Sequence, residues 1–176
     1  MTSILITGGA GFIGHHFVES ILKNTDWEIV ILDRLNYASR GWDRLRDIDV
    51  YDDARVHPIA CDLAEPISVG VRGEIERWQG QPNYIVHMAA ETHVDRSIEN
   101  ARPFIRANVM GTLSILEYAQ TLDNLKQYVY FSTDEVFGPA PDGVLYKEWD
   151  RYDSGNPYAA TKACLLYTSP SPRDRS

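Results

Sequence analysis

The start of the chain joins a short apolar run to a glycine-rich turn. Residues 4–6 (Ile-Leu-Ile) predict a buried parallel strand, and three glycines follow at spacings of three, Gly8, Gly11 and Gly14. Apolar residues then recur at helical spacing over residues 13–22. Gly8 would permit the tight turn, Gly11 would leave room for a pyrophosphate, and Gly14 would let helix and strand pack closely. Strand, turn and helix in this order predict a dinucleotide-binding α/β fold.

The remaining chain alternates between predicted strands and predicted helices. Further strands are predicted at residues 28–33, 55–60, 84–88 and 127–132. A long helix before the last strand is expected to place Ile105, Val109, Leu113 and Leu116 on one face. This alternation predicts an α/β architecture, a Rossmann-type doubly wound parallel sheet.

Composition excludes several classes of protein. The net charge of −8 over 176 residues argues against nucleic-acid binding, which requires clustered Lys and Arg. No apolar run is long enough to span a bilayer, and the first residues contain no cleavable apolar segment. Cys61 and Cys164 form no disulfide framework, and no histidines or cysteines have metal-ligand spacing. We therefore expect one cytoplasmic domain with no metal, membrane or nucleic-acid partner.

Acidic and small residues follow the predicted strands. Asp33 lies about 20 residues after the glycine turn, where a carboxylate can bind both ribose hydroxyls, which favours NAD over NADP. Arg34 could instead serve the 2′-phosphate of NADP, or be a solvated flanking charge. Asp62 could bind the adenine amino group or cap a helix that begins at Ala64. Residues 89–90, both alanine, suit a close approach of the backbone to a cofactor.

Two groups of polar residues near the end of the chain are candidates for catalysis. The last strand leads into residues 133–135, Thr-Asp-Glu, which could also be turn residues and a helix cap. Pro157 suits the first turn of a helix that would place Tyr158 and Lys162 on one face. A lysine near a phenol lowers the phenol's pKa, which would make Tyr158 a proton acceptor for an alcohol.

With these features together, residues 1–163 resemble the extended short-chain dehydrogenase/reductase family. Residues 7–14 and the Tyr158-x-x-x-Lys162 pair carry the general resemblance. Residues 89–98 and 132–138 are similar, more narrowly, to the nucleoside-diphosphate-sugar 4,6-dehydratases, in which Asp and Glu are adjacent. Thr92 and Phe137 depart mildly from that pattern, since the family often has Ser and Tyr there.

The resemblance implies a lyase (a hydro-lyase) that uses tightly held NAD as a transient hydride acceptor. Tyr158, with Lys162 and Thr133, would take the proton of the sugar 4-hydroxyl while hydride passes from C4 to NAD. Glu135 would then remove the C5 proton, Asp134 would protonate the departing 6-hydroxyl, and hydride would return to C6. The implied NAD-binding residues are Gly8, Gly11, Phe12, Ile13, Gly14, Asp33, Asp62, Leu63, Ala89, Ala90, Tyr158 and Lys162.

The resemblance also sets expectations about partners and about the end of the chain. It implies a nucleotide-sugar substrate, with dTDP-glucose first, and a homodimer for a full-length parent. Residues 164–176 contain two prolines and are expected to be a non-native or disordered tail. The sheet would then be incomplete and the substrate-binding part would be absent. The 176-residue chain alone would bind NAD without turnover. A sugar-nucleotide 4-epimerase or decarboxylase of the same family is the alternative.

Overall fold

A computed structural model describes residues 2–168, and these contain one parallel sheet. Its strands are β1 Ser3–Thr7, β2 Glu28–Asp33, β3 Val56–Ala60, β4 Tyr84–His87 and β5 Gln127–Tyr130. They lie in the order β3-β2-β1-β4-β5, so the chain reverses its direction of winding between β1 and β4. In open α/β sheets the crevice at such a reversal is the ligand-binding position.

Helices connect these strands and cover both faces of the sheet. The helices are α1 Gly14–Asn24, α2 Asp43–Asp47, α3 Val69–Gln79, α4 Val94–Glu99, α5 Arg102–Phe104, α6 Gly111–Gln120 and α7 Pro157–Thr168. A π-helical segment, Ile105–Met110, joins α5 to α6, and a 3₁₀ helix, Asp134–Phe137, follows β5. No helix in residues 2–168 is both long and apolar enough to cross a membrane.

Two hydrophobic cores lie on opposite faces of the sheet. Leu5 belongs to the core that includes Ile75 of α3, whereas Ile6 belongs to the core that includes Val18 of α1. Successive strand residues point to opposite faces, so an unbroken apolar run such as that of β1 requires helices on both sides. This arrangement confirms the predicted doubly wound α/β fold.

The apolar residues of the long helix do not form its buried face. Ile105 and Leu113 are 48% and 44% exposed, while Asn108, Thr112 and Ile115 are buried. The helix turns this mixed face inward because its polar side chains find interior partners: the Thr112 hydroxyl lies 2.8 Å from Nε2 of His87. Hydrogen-bonded polar groups can be buried at little cost, so apolar spacing alone did not identify the buried face.

The segment after β3 also differs from the prediction. The helix begins at Val69 rather than at Ala64, and its cap is Ser68, whose hydroxyl accepts a hydrogen bond from the Val71 N–H at 3.2 Å. Asp62 instead accepts a hydrogen bond from the Ala64 N–H at 3.0 Å, which holds a local turn. Asp62 is therefore a turn residue and not the helix cap.

The helix α7 continues beyond residue 163, where the sequence predicted a change to a foreign tail. It runs to Thr168, and Leu165 is buried. The two prolines of the predicted tail lie outside the described residues, as do all of residues 169–176. The proposed boundary at residue 163 stays a prediction.

Candidate active site

The carboxyl ends of the strands meet along one edge of the sheet. Thr7 pairs in register with Leu32 of β2 and with His87 of β4, and His87 pairs with Tyr130 of β5. Asp33 is the last residue of β2, and the segments that follow β1, β4 and β5 contain the glycine turn, the alanine pair and the Thr-Asp-Glu segment. The parallel register therefore brings together polar residues that are far apart in sequence.

Close backbone packing explains the glycine turn. Gly8 has a φ of +73°, and a Cβ there would lie 2.7 Å from the backbone nitrogen of Ala89. A Cβ at Gly14 would overlap the carbonyl oxygen of Gly8 and lie 2.8 Å from the Cα of Gly9. The turn thus packs against the β4 loop on one side and against the start of α1 on the other, as glycine alone permits.

The N-terminus of α1 has the features of a phosphate-binding position. Its cap residue, Ile13, contributes no side-chain hydrogen bond, and the first turn contains no acidic residue. The first N–H groups of a helix have no partner within the helix, and the helix dipole favours an anion there. Phe12 and Ile13 are exposed beside this terminus, at 74% and 63%.

Asp33 joins the glycine turn to the end of β2. Its carboxylate accepts a hydrogen bond from the Ala10 N–H at 3.1 Å and another from the Leu35 N–H at 2.8 Å. Burial raises the pKa of Asp33, and these backbone hydrogen bonds and the nearby arginines oppose the rise. Each carboxylate oxygen has a second lone pair, so the group can still accept ribose hydroxyls.

One crevice contains most of the residues predicted to bind a dinucleotide. These are Gly8, Gly11, Asp33, Asp62, Leu63, Ala89 and Ala90. Its lining also includes Asn36, Ala38, Ser39, Met88 and Ala107, which the sequence interpretation missed. Three of these residues lie within six positions of Asp33 in the sequence, namely Asn36, Ala38 and Ser39. Their closeness to that acid in the sequence could have indicated that they line the crevice. The glycine cradle, the uncapped helix and the strand-end acid together fit a dinucleotide.

His87, the last residue of β4, is a structural residue. Its Nδ1 is 2.6 Å from the Thr7 hydroxyl, its Nε2 is 2.8 Å from the Thr112 hydroxyl, and burial lowers its pKa to about 3. The neutral ring links β1, β4 and α6 by hydrogen bonds. Among the described residues, no cluster of three or more His, Cys, Asp or Glu could hold a metal ion.

The low pKa of His87 predicts a dependence of stability on pH. The pKa of His87 is about 3 in the folded chain and 6.5 for an ordinary histidine. As the pH falls, the unfolded chain is therefore protonated at His87 at a higher pH than the folded chain. Acid therefore favours unfolding, and the contribution of His87 is fully present only above about pH 6.5. Between about pH 6.5 and 5 the wild type should lose about 2 kcal/mol more stability than His87→Gln. Urea unfolding at several pH values measures this; parallel pH profiles for the two proteins would contradict it.

Tyr158 and Lys162 are both buried on α7, but the lysine does not act on the phenol as predicted. Nζ of Lys162 donates a hydrogen bond to the carbonyl oxygen of Phe131 at 2.8 Å and lies 4.7 Å from the centre of the Tyr130 ring. Burial raises the pKa of Tyr158, the Glu135 carboxylate raises it further, and a hydrogen bond with Thr133 opposes the rise. Burial also lowers the pKa of Lys162 to about 8. The predicted lowering of the phenol pKa is wrong for this arrangement.

The Thr-Asp-Glu segment has both a structural and a potential chemical role. The Thr133 hydroxyl accepts a hydrogen bond from the Glu135 N–H at 3.3 Å and so caps the short 3₁₀ helix. Asp134 and Glu135 line a cavity of about 360 Å³. The two carboxyl groups therefore face a space that a small substrate could enter.

Asn156 connects this segment to α7. Its Oδ1 accepts a hydrogen bond from the Ala159 N–H at 2.8 Å, as an N-cap does, and its Nδ2 donates one to Oε2 of Glu135 at 3.0 Å. Asn156 also lines the cavity. One side chain thus holds Glu135 in position relative to the helix that carries Tyr158 and Lys162.

Asn108 is a second connecting residue whose importance the sequence did not reveal. Its Oδ1 accepts a hydrogen bond from the Glu91 N–H at 2.8 Å, and its Nδ2 donates to the Glu91 carbonyl and to the Thr161 hydroxyl, each at 2.9 Å. It therefore fixes the loop after β4 to α7.

Comparison with known proteins identifies the family to which this chain belongs. Residues 5–168 match the family model described as GDP-mannose 4,6 dehydratase. The chain is 39% identical to the dTDP-glucose 4,6-dehydratase of Salmonella typhimurium and 38% identical to dTDP-glucose 4,6-dehydratase 1 of Escherichia coli. Both alignments cover 91% of this chain and 47% of the relative. The chain thus spans about half the length of the curated relatives it matches.

Solved structures show the same fold. The dTDP-glucose 4,6-dehydratase from Streptomyces venezuelae, solved with NAD bound, has a TM-score of 0.78 at 36% identity, covering 94% of this chain and 50% of that one. The UDP-glucose 4-epimerase of Thermus thermophilus, in complex with NAD, has a TM-score of 0.77 at 27% identity, covering 95% and 49%. With its glycine turn, strand-end acid and Tyr158/Lys162 helix, this chain belongs to the GDP-mannose 4,6-dehydratase family of NAD-dependent epimerases and dehydratases.

Proposed function

We propose that this chain is the cofactor-binding and catalytic part of a nucleotide-sugar 4,6-dehydratase. The observation that carries the proposal is the position of Asp134 and Glu135, which line one cavity next to the Tyr158 helix. Loss of water from C5 and C6 needs one carboxyl group as base and one as acid, which neighbouring carboxyls in different environments can provide. Epimerisation at C4 needs no such pair.

The proposed roles follow from the contacts of each side chain. Tyr158, hydrogen-bonded with Thr133, receives the proton of the sugar 4-hydroxyl. Lys162 is assigned the supporting role that the family resemblance implies, although its ammonium group here donates to the Phe131 carbonyl. Glu135, held by Asn156, removes the C5 proton, and Asp134 protonates the departing 6-hydroxyl. Before it can accept that proton, Tyr158 must itself be deprotonated despite its raised pKa, so bound ligands are expected to change its surroundings.

NAD is the proposed cofactor, and when bound it supplies a transient acceptor for the hydride of C4. The glycine turn and the N-terminus of α1 would hold its pyrophosphate, and Asp33 its adenosine ribose. Relatives solved with NAD support this assignment. Tyr158 and Lys162 do not line the crevice that contains Gly8 and Asp33, so their contact with the cofactor stays a proposal.

A homodimer is proposed for the whole protein, because the π-helical segment and α6 leave apolar side chains exposed. Ile105, Met110 and Leu113 are between 42% and 48% exposed on this surface. Sedimentation measures the association, and a monomer at high concentration would contradict it.

The cytoplasmic location and the absence of nucleic-acid binding stay predictions from composition. The division into residues 1–163, a tail and a further substrate-binding part stays a proposal.

A direct assay tests the proposed reaction. The whole protein, incubated with dTDP-glucose and NAD, should give a 4-keto-6-deoxy sugar nucleotide, detected by mass spectrometry as the loss of one water. The 176-residue chain alone should bind NAD weakly and give no product. A C4 epimer would favour the epimerase alternative, for which the likeness to the Thermus thermophilus enzyme is the specific support. Turnover by the 176-residue chain would disprove the division proposed here.

A further inference from the structure

Arg34, the residue after the proposed ribose acid, is held by a carboxylate from the other side of the crevice. Its guanidinium Nη2 donates to Oε1 of Glu91, 57 positions away in the chain. Arg34 follows β2 and Glu91 follows β4, and each of these strands pairs with β1. The ion pair therefore joins the two loops on either side of the glycine turn.

Glu91 is built into the structure as an acceptor for the loop after β2. Its side chain is 8% exposed, and it also accepts hydrogen bonds from Nδ2 of Asn36 at 2.9 Å and from the Tyr37 hydroxyl at 3.1 Å. Its backbone is fixed at both its N–H and its carbonyl by Asn108. The carboxylate is thus rigidly placed and collects three donors from residues 34–37.

This arrangement bears on the choice between NAD and NADP. Arg34 lines the dinucleotide crevice next to Asp33, where an arginine can bind the 2′-phosphate of NADP. A guanidinium paired with a buried carboxylate is electrostatically neutralised, and Nη2 of Arg34 is directed at Glu91. A 2′-phosphate would have to compete with Glu91 for it while also being repelled by Asp33.

We propose that Glu91 is a specificity-determining residue, which sequesters Arg34 and so excludes NADP from the adenosine-ribose site. The inference rests on the proposed dinucleotide-binding function and assigns a role to two residues within it. Asp33 repels the 2′-phosphate directly, and Glu91 removes the cation that would otherwise compensate that repulsion.

Binding of the two cofactors to the 176-residue chain tests the proposal without any need for turnover. Calorimetric titration with NAD⁺ and NADP⁺ would compare the wild type with Glu91→Gln, a change that keeps the size of the side chain and removes its charge. The ratio of NADP⁺ to NAD⁺ affinity should rise by about tenfold, the value of one charge-assisted hydrogen bond. In Glu91→Gln/Arg34→Gln this gain should disappear. A gain that persists without Arg34 would overturn the proposal, because it would then come only from removing a negative charge.

Arg34→Gln alone keeps the test decisive if Glu91→Gln fails to fold. Because Arg34 is already sequestered, its removal should change the NADP⁺ affinity of the wild type by less than about twofold. A clear loss of NADP⁺ affinity in Arg34→Gln would show that Arg34 binds the 2′-phosphate in the wild type, and the proposal would fail. Wild type that binds NAD⁺ but shows no effect of Glu91→Gln would overturn this inference only. Wild type that binds neither cofactor would overturn the cofactor assignment itself.

Discussion

Glu135→Gln in the whole protein is expected to lower the rate of dehydration by about 10²–10⁴-fold, the usual contribution of a general base. The amide keeps the shape of the side chain and its place in the cavity beside Asn156. It cannot accept the C5 proton, so the reaction should stop after oxidation at C4. Product formation and incorporation of deuterium at C5 in heavy water measure the two steps separately.

Two companion variants distinguish the roles of the neighbouring carboxyls. Asp134→Asn should still exchange the C5 hydrogen with solvent while failing to lose water, because it lacks only the acid. Glu65→Gln makes the same chemical change at a surface ion pair with Arg106 and should leave the rate unchanged. Exchange at C5 that survives in Glu135→Gln and vanishes in Asp134→Asn would reverse the assignment of base and acid.

Gly14→Ala is expected to destabilise the fold, because a Cβ there would make the closest contact of any glycine among residues 2–168. The new Cβ would overlap the Gly8 carbonyl oxygen and crowd the Gly9 Cα, and neither is a flexible side chain that could move aside. Overpacking of this kind should cost about 3 kcal/mol and lower the Tm by roughly 6–12 °C. Displacing the glycine turn should also weaken NAD binding by about tenfold or more, a loss of about 1.4 kcal/mol.

The matched control for this variant is Gly73→Ala in α3. A Cβ there would have only Arg77 Nη1 within van der Waals distance, at 3.7 Å, so the helix should gain about 0.5–1 kcal/mol. Thermal unfolding and NAD titration of both variants measure the difference. A Gly14→Ala protein as stable as Gly73→Ala would show that the turn relaxes without cost, which contradicts the close packing inferred here.

The fold could be predicted because its signals are local. Residues 4–6 place apolar side chains on both faces of the strand, and the glycine turn indicates where the strand ends and the helix begins. The buried face of the π-helical segment and α6 could not be predicted, since Asn108 and Thr112 are buried through partners that only the folded chain supplies. Apolar periodicity contains no information about such partners.

The candidate site could be predicted in its composition but not in its electrostatics. Most predicted cofactor residues do line one crevice, because parallel register aligns the strand ends. The four-residue spacing of Tyr158 and Lys162 suggested a direct effect of one on the other, yet the ammonium group donates to the Phe131 carbonyl. Arg34 was considered a solvated charge or an NADP contact, and its pairing with Glu91 depends on two loops that sequence spacing could not relate.

The π-helical segment Ile105–Met110 has a consequence for how this chain tolerates changes in length. Such a segment corresponds to one residue inserted into an ordinary helix, and each residue of an α-helix accounts for a rotation of about 100°. Deleting one residue here would restore regular helix but would rotate Asn108 or Thr112 away from its partners. Homologous sequences aligned across this stretch should therefore accept substitutions at Ile105 or Met110 far more readily than a single gap.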